Sequence, residues 1–254
     1  MKADLHTHTF YSEDSAETIE AYCAIAITRG IDCICITDHI DNNPIDTGYL
    51  FYRADDYFKS LNAAKMKFGD RLLILAGCEF SEPHSYPREL EKLRSYPYDI
   101  VIGSLHYWYK DMFPSVMVQN NVPLETCWEY YWTEMSAMVR AGGFDVLAHM
   151  DFAKRYYGHL LYDEAKIAEI FADMIKNNVV PEVNTSSLRK GLDTAMPDAD
   201  FMRIYASAGG KYYTTGSDAH FAVDLYADID RIKAEMSEIG LIDVHFENRK
   251  IIIP

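Results

Sequence analysis

Positive charge is scarce in this chain. Twenty-four Lys and Arg stand against 39 Asp and Glu, a formal net charge of -15, and no basic run exceeds a pair such as Lys154-Arg155 or Arg189-Lys190. Binding to a long nucleic acid depends on neutralising many phosphates, so this composition excludes such a partner. Cysteine is sparse too. Cys23, Cys33, Cys35, Cys78 and Cys127 are odd in number, form no C-x-x-C, and lie mostly within apolar runs. They read as reduced, buried thiols, which excludes a disulfide framework. No apolar stretch approaches ~20 residues, the length needed to cross a bilayer, and no basic segment leads into an apolar one at the start. A cytoplasmic protein with no membrane partner is expected. No repeat, low-complexity tract or linker divides the 254 residues, so residues 1–254 are expected to form a single domain.

What is present is an ordinary globular mixture, 49% hydrophobic and 25% charged. Its acidic excess is one that bound divalent cations would partly offset. Apolar periods of two kinds alternate along the chain. Ser15 stands where it could cap a helix with Ile19, Tyr22, Cys23 and Ala26 on one face, and Gly30 supplies a stop. "DCICITDH" reads as a buried strand, followed by a turn-rich segment around Asn42-Asn43-Pro44, a helix near 53–67, and the strand "RLLILAGCEF". Strands at "DIVIGSLH", "DVLAHMD", "VVPEVN" and "KYYTTGSDAH" are separated by helices near 86–94, 123–141, 163–177 and 197–208. Ile229, Ile232, Met236 and Ile239 mark a last apolar helix face. Seven strands alternating with seven helices predict a parallel sheet with right-handed crossovers, either doubly wound or closed into a barrel. The tail "IDVHFENRKIIIP", with a turn at Glu247-Asn248, reads as an accessory hairpin or edge.

Reactive side chains recur at strand ends. In "MKADLHTHTF" His6 and His8 are two apart, so on a strand they face the same way. His39 ends the second strand, Glu79 the third, His106 the fourth, His149 the fifth, and Asp218 with His220 the seventh; the sixth ends at Asn184. Parallel α/β architectures bring all carboxyl ends of their strands to one rim, so these groups should converge. Neutral imidazoles with carboxylates suit Zn, Mn or Fe better than Mg or Ca. The donors outnumber the needs of one ion, and a carboxylate can bridge two. More than one metal is implied.

Taken together, H-x-H at 6–8, Asp14, T-D-H at 37–39, the Glu of "GCEF", "SLH", "LAHMD" and "GSDAH" resemble the polymerase and histidinol phosphatase (PHP) superfamily, over residues 4 to 220 and in the same order. Length and loops are most similar to its stand-alone histidinol-phosphate phosphatases. The resemblance implies a distorted (β/α)7 barrel with a trinuclear metal site at the C-terminal rim of the strands. It assigns His6, His8, Glu79 and Asp218 to one metal, Glu79 as a bridge to a second with His106 and His149, and Asp14, His39 and His220 to a third. It also implies phosphate binding by Arg155, in the loop after strand five, and Arg189, in the loop after strand six. A guanidinium fork matches phosphate oxygens in a way that Lys does not.

The implied reaction is hydrolysis of a phosphate monoester, most readily L-histidinol phosphate in histidine biosynthesis. Metal coordination lowers the pKa of water toward neutrality and so supplies a hydroxide for in-line attack, while metals and arginines stabilise the phosphoryl oxygens. The alkoxide leaving group needs a proton, for which Asp218 and His220 are the catalytic candidates. Tyr107, Trp108, Tyr156 and Tyr157 could face an imidazole or ammonium group, and Asp41, Glu82 or His84 could bond to its polar atoms. Asp4, Asp38 and Asp151 stand close enough in sequence to orient ligand imidazoles. His159 and His245 read as surface or structural residues. Two other functions fit the motifs: a phosphodiesterase or nucleotidase acting on a small phosphate ester, and a non-catalytic metal-binding domain.

Overall fold

Seven short parallel strands carry the architecture in the computed structural model, which describes residues 1–253. In chain order they are Ala3–Asp4, Cys33–Ile36, Leu73–Ser81, Ile100–Ser104, Val146–Leu147, Val180–Asn184 and Tyr212–Gly216, each paired with the next. The second strand resumes at His39–Ile40 after Thr37-Asp38 without a change of register: Ile36 lies opposite Ala76, and His39 opposite Glu79. The sheet curls until its ends meet. Leu5 N–H donates to Thr215 O (3.0 Å), Asp218 N–H to His6 O (2.8 Å) and His8 N–H to Ala219 O (2.9 Å), closing a distorted barrel. Of the two topologies left open by periodicity, the ring is the one formed.

The expected helices wrap the outside. Ile19–Arg29 buries Ile19, Tyr22, Cys23 and Ala26, and Gly30 ends it at φ 63°, in the left-handed region that glycine adopts most easily. Its cap is Thr18, whose hydroxyl accepts from Ala21 N–H (3.1 Å). Ser15, expected in that role, instead donates to His8 O (3.0 Å) and His220 O (2.9 Å), so it ties the first and seventh strand ends together. Glu164–Lys176 starts at Asp163, which accepts from Ala165 and Lys166 N–H, and buries Ile167, Ile170, Phe171 and Met174. Ala54–Phe68, Leu124–Ala141, Ala199–Ser207 and Ile229–Ile239 complete the long helices. Three short helical turns, Pro114–Gln119, Lys154–Tyr157 and Ser186–Arg189, sit in the rim loops.

Apolar side chains divide between a layer under the helices and a plug inside the ring. Leu5, Cys35, Leu75, Ile102 and Val146 fill the ring, and Val244 and Phe246 from the tail pack on them at the end where the strands begin. The tail pairs Ile242–Asp243 alongside Tyr212-Tyr213, then forms the antiparallel hairpin His245–Glu247 with Lys250–Ile252. Its turn residues are Asn248 and Arg249, at φ 50° and 62°, one position later than expected and with the two positive φ values of a type I′ turn. Arg249 fastens the hairpin to the barrel floor through Asp145 Oδ2 (2.7 Å) and Gly143 O (2.8 Å). The opposite rim is left to the polar groups. No helix among the described residues is long and apolar enough to cross a membrane.

Candidate metal centre

Glu79, near the end of the longest strand, is 1% exposed and faces five imidazoles. Its Oε2 lies 3.0 Å from His39 Nδ1, 3.2 Å from His6 Nε2 and 3.6 Å from His8 Nε2. Its Oε1 lies 3.1 Å from His149 Nε2 and 3.6 Å from His106 Nε2. Asp218 Oδ1 stands 3.3 Å from His8 Nε2, and Asp14 Oδ2 stands 2.9 Å from His220 Nε2 and 3.7 Å from His39 Nε2. All nine metal-donor positions singled out in the sequence therefore meet at one rim.

The chemistry of this set fits divalent cations. An ionised carboxylate only accepts, and a neutral imidazole has one N–H to give, so five rings around one carboxylate crowd acceptor against acceptor. His8 Nε2 and His39 Nδ1 are buried without a hydrogen-bond partner. A cation between such groups turns the crowding into coordination. Four sets have donor atoms that fall within 4.8 Å of one another: His6, His8 and Asp218; Glu79, His106 and His149; His8, His39 and His220; and His39, Asp41 and His106.

Electrostatics divides the rings. Burial, with His39 and His220 beside it, pushes the His8 imidazole down to about 3, and burial takes His106 to about 3. Burial also pulls on His6, but Glu182 and Glu79 outweigh it and hold that ring well above its ordinary value. His39 is likewise held up, by Glu79 and Asp14 against its burial. For Asp218, burial raises the carboxyl but the His8 ring beside it and the His6, His220 and Arg155 charges prevail, leaving it well below the usual range. Backbone strain marks the same place: Asp218 has φ 53° and His149 φ 20°, in the region non-glycine residues avoid.

A cavity of about 400 Å³ opens over these groups. Arg155 lines it, with Nη2 on Ser186 Oγ (2.5 Å) and 3.4 Å from Asp218 Oδ2, and its guanidinium 5.0 Å over the Phe152 ring. Arg189 does not line it. Its Nη2 donates to Ser217 O (2.5 Å), so it braces the backbone behind Asp218, while its neighbour Lys190 reaches the cavity wall. Asp41, Asp46, Tyr107 and Tyr156 also line the cavity.

Several other expected residues lie elsewhere. Trp108 is buried against Tyr131, and the Tyr157 hydroxyl donates to Val122 O (3.2 Å). His84 pairs with Glu134 (3.0 Å), on the long helix Leu124–Ala141. Glu82 Oε1 accepts from the backbone N–H of His106 (2.7 Å) and Tyr107 (3.1 Å), so it shapes the loop rather than the cavity. Asp4 accepts from Ser217 and Tyr226 N–H, and Asp151 pairs with Lys154 Nζ (2.5 Å); neither orients an imidazole. His245 is buried beside Glu247, whereas His159 is exposed.

Glu182 was not anticipated. It is 1% exposed, with Oε1 2.6 Å from His6 Nδ1 and Oε2 accepting from His149 N–H (3.0 Å), so one carboxylate sets two rim histidines. The available signal was an acid two residues before Asn184 in an otherwise apolar strand, which alternation turns to the same face.

Fold and rim together define a β/α barrel whose strand ends converge on a metal-competent cluster. The chain belongs to the PHP domain family, whose model matches residues 4–186. A probable histidinol-phosphatase of Clostridium acetobutylicum is 28% identical over 260 residues, 98% of each chain. A histidinol-phosphatase of Lactococcus lactis subsp. lactis is 24% identical, over 94% of this chain and 91% of that one. Among solved structures, the histidinol phosphate phosphatase of Lactococcus lactis, complexed with zinc, L-histidinol and phosphate, has the same fold: TM-score 0.85 and 23% identity, covering 99% of this chain and 98% of that one.

Proposed function

We propose that residues 1–254 form one metal-dependent phosphate monoester hydrolase whose substrate is L-histidinol phosphate. The observation that carries this reading is Glu79, buried among five imidazoles beneath a cavity into which Arg155 points. The curated relatives of matching length, named as histidinol-phosphatases, support the same substrate. His6, His8, Glu79 and Asp218 would hold one divalent ion, Glu79, His106 and His149 a second, and Asp14, His39 and His220 a third, with Zn, Mn or Fe suited to such donors. Bound there, the ions supply an activated water and neutralise phosphoryl charge.

The chain's own groups do the rest. Arg155 binds phosphoryl oxygens through its unpartnered Nε and its Nη2, and Phe152 and Ser186 hold the fork in place. Arg189 contributes by fixing the backbone of Ser217 and Asp218. For the leaving alkoxide, Asp218 is poorly suited to carry a proton because its carboxyl is held low. His220 is the other candidate: its Nε2 lies 2.9 Å from Asp14 Oδ2 and its Nδ1 3.1 Å from Asp218 O, and it can give a proton only while it is not holding an ion. Asp41, Asp46 and Tyr107 form an acidic, aromatic wall suited to a cationic alcohol such as histidinol. The net charge of -15 opposes a long nucleic-acid substrate, and five buried free thiols fit a reducing, cytoplasmic setting.

Metal analysis coupled to turnover of a panel of esters tests the proposal. About three metal equivalents and fastest turnover of histidinol phosphate are expected. Faster cleavage of a dinucleotide would replace the substrate with a phosphodiester, and inactivity on every ester with metals bound would leave a non-catalytic metal-binding domain.

A further inference from the structure

Ser12 and Ser81 occupy equivalent places beside two rim histidines. Ser12 Oγ lies 2.8 Å from Asp38 Oδ1, 2.9 Å from His39 N and 3.2 Å from His8 Nδ1. Ser81 Oγ lies 2.6 Å from Asp41 Oδ1 and 3.2 Å from His106 Nδ1. Both carboxylates come from one stretch, Thr37 to Asp41, on either side of His39. Each hydroxyl thus bridges a carboxylate and an imidazole.

A serine hydroxyl has one proton to give and two lone pairs to receive. At Ser12 the His39 N–H can only donate, so it fills one lone pair. Asp38 already accepts from Thr9 N–H (2.5 Å) and from the Thr9 hydroxyl (2.8 Å), so it behaves as an acceptor on both oxygens. The Ser12 proton therefore goes to Asp38, and the remaining lone pair of Oγ can be filled only by a proton on His8 Nδ1. At Ser81 the 2.6 Å contact with Asp41 has the length of a hydroxyl donating to an ionised carboxylate, which again leaves the imidazole as donor. In both rings the other nitrogen, Nε2, faces Glu79.

We propose that Ser12 and Ser81 are positioning residues: through Asp38 and Asp41 they lock His8 and His106 as the tautomers protonated on Nδ1, so that both Nε2 lone pairs are presented to the centre. The use of those lone pairs rests on the metal-centre reading; the tautomers do not. Nothing else has to move for the rings to bind a cation, and each relay disposes of the proton that the free nitrogen would otherwise carry.

Imidazole 15N correlation spectra of the full-length protein, zinc-loaded and after chelation at pH 9, read the tautomers directly. Nδ1–H is expected for both rings in both states. In the chelated state, where no ion holds Nε2, Ser12→Ala should lose the His8 preference and leave His106 unchanged; in Ser81→Ala the reverse should hold, and Ser81→Thr, which keeps a hydroxyl, should retain it. Zinc affinity by chelator competition should fall about 10- to 100-fold in the alanine variants, the usual cost of losing a ligand's outer partner. An Nε2–H ring in the wild-type protein overturns the proposal even if no variant folds, as does an alanine variant whose own ring keeps its tautomer after chelation. A wild-type protein that shows both tautomers but binds no zinc would sink the metal-centre reading alone.

Discussion

Arg155 illustrates how much one side chain can hold without being part of the core. Its guanidinium already meets Ser186, Asp218 and Phe152, so an incoming phosphoryl group finds the fork in position. Arg155→Ala removes charge-assisted bonds worth ~1.5–3 kcal/mol, and kcat/KM should fall about 10- to 100-fold, with the metal content unchanged by elemental analysis. Full retained activity would take Arg155 out of the site. Glu182 acts one layer further back. In Glu182→Gln, whichever way the amide turns, an N–H replaces an acceptor that now serves His6 or His149, and zinc affinity should drop roughly tenfold or more in chelator competition. Glu82 gives a pH signature. Burial pushes its carboxyl up to about 8 from 4.5, against the pull of two backbone N–H groups. The folded chain then keeps a proton that the unfolded chain loses across that interval, so stability declines as pH rises through it, by up to ~1.4 kcal/mol per unit. Denaturant midpoints of the metal-free protein should show Glu82→Gln with a shallower decline between pH 5 and 8. Asp14, in the loop after the first strand, was assigned only by the family resemblance, whereas the other eight of the nine rim donors were legible because strand ends are visible in sequence. Glu182 was not, because a strand's inward face is set by register, and Arg189 was assigned to the cavity because nothing in a four-residue helical turn tells which of two adjacent cations points inward.

Elements were legible in proportion to their length. Eleven to eighteen residues at helical spacing announce Ile19–Arg29 or Leu124–Ala141, but four to six residues barely display a period: the turns at 114–119, 154–157 and 186–189 went unread, and of the short helices only Pro87–Lys92 was foreseen, within 86–94. The fifth strand, read as "DVLAHMD", is regular only at Val146–Leu147, since His149 leaves extended geometry to reach Glu79. In the seventh strand Gly216 has a steric purpose. A Cβ there would collide with Glu182 Oε1 and His6 Cβ, which come from the two strands flanking it. Gly216→Ala should cost about 1–3 kcal/mol by overpacking, a fall of several degrees in Tm by calorimetry, and should loosen His6, the ring that Glu182 holds.

For the whole molecule, the packing of acceptors around Glu79 makes cation binding and folding one equilibrium. Ions that bind only the folded chain add stability according to their concentration relative to Kd. Chelation should therefore lower Tm by about 5 °C or more, with recovery on adding zinc; an unchanged melting curve would mean that the rim is self-sufficient. Periodicity left the barrel as one of two topologies and the family resemblance chose it; what decides between them in the structure, the hydrogen bonds from residues 5–8 to 215–219, is a pairing no local pattern announces.

That same closure has a bearing on how the protein is made. His6, His8, His39 and Glu79 are all synthesised before the strand Tyr212–Gly216 that completes their enclosure. A growing polypeptide carries most of the donors with no finished ring around them, so faithful ion loading has to wait until that closing strand has been made.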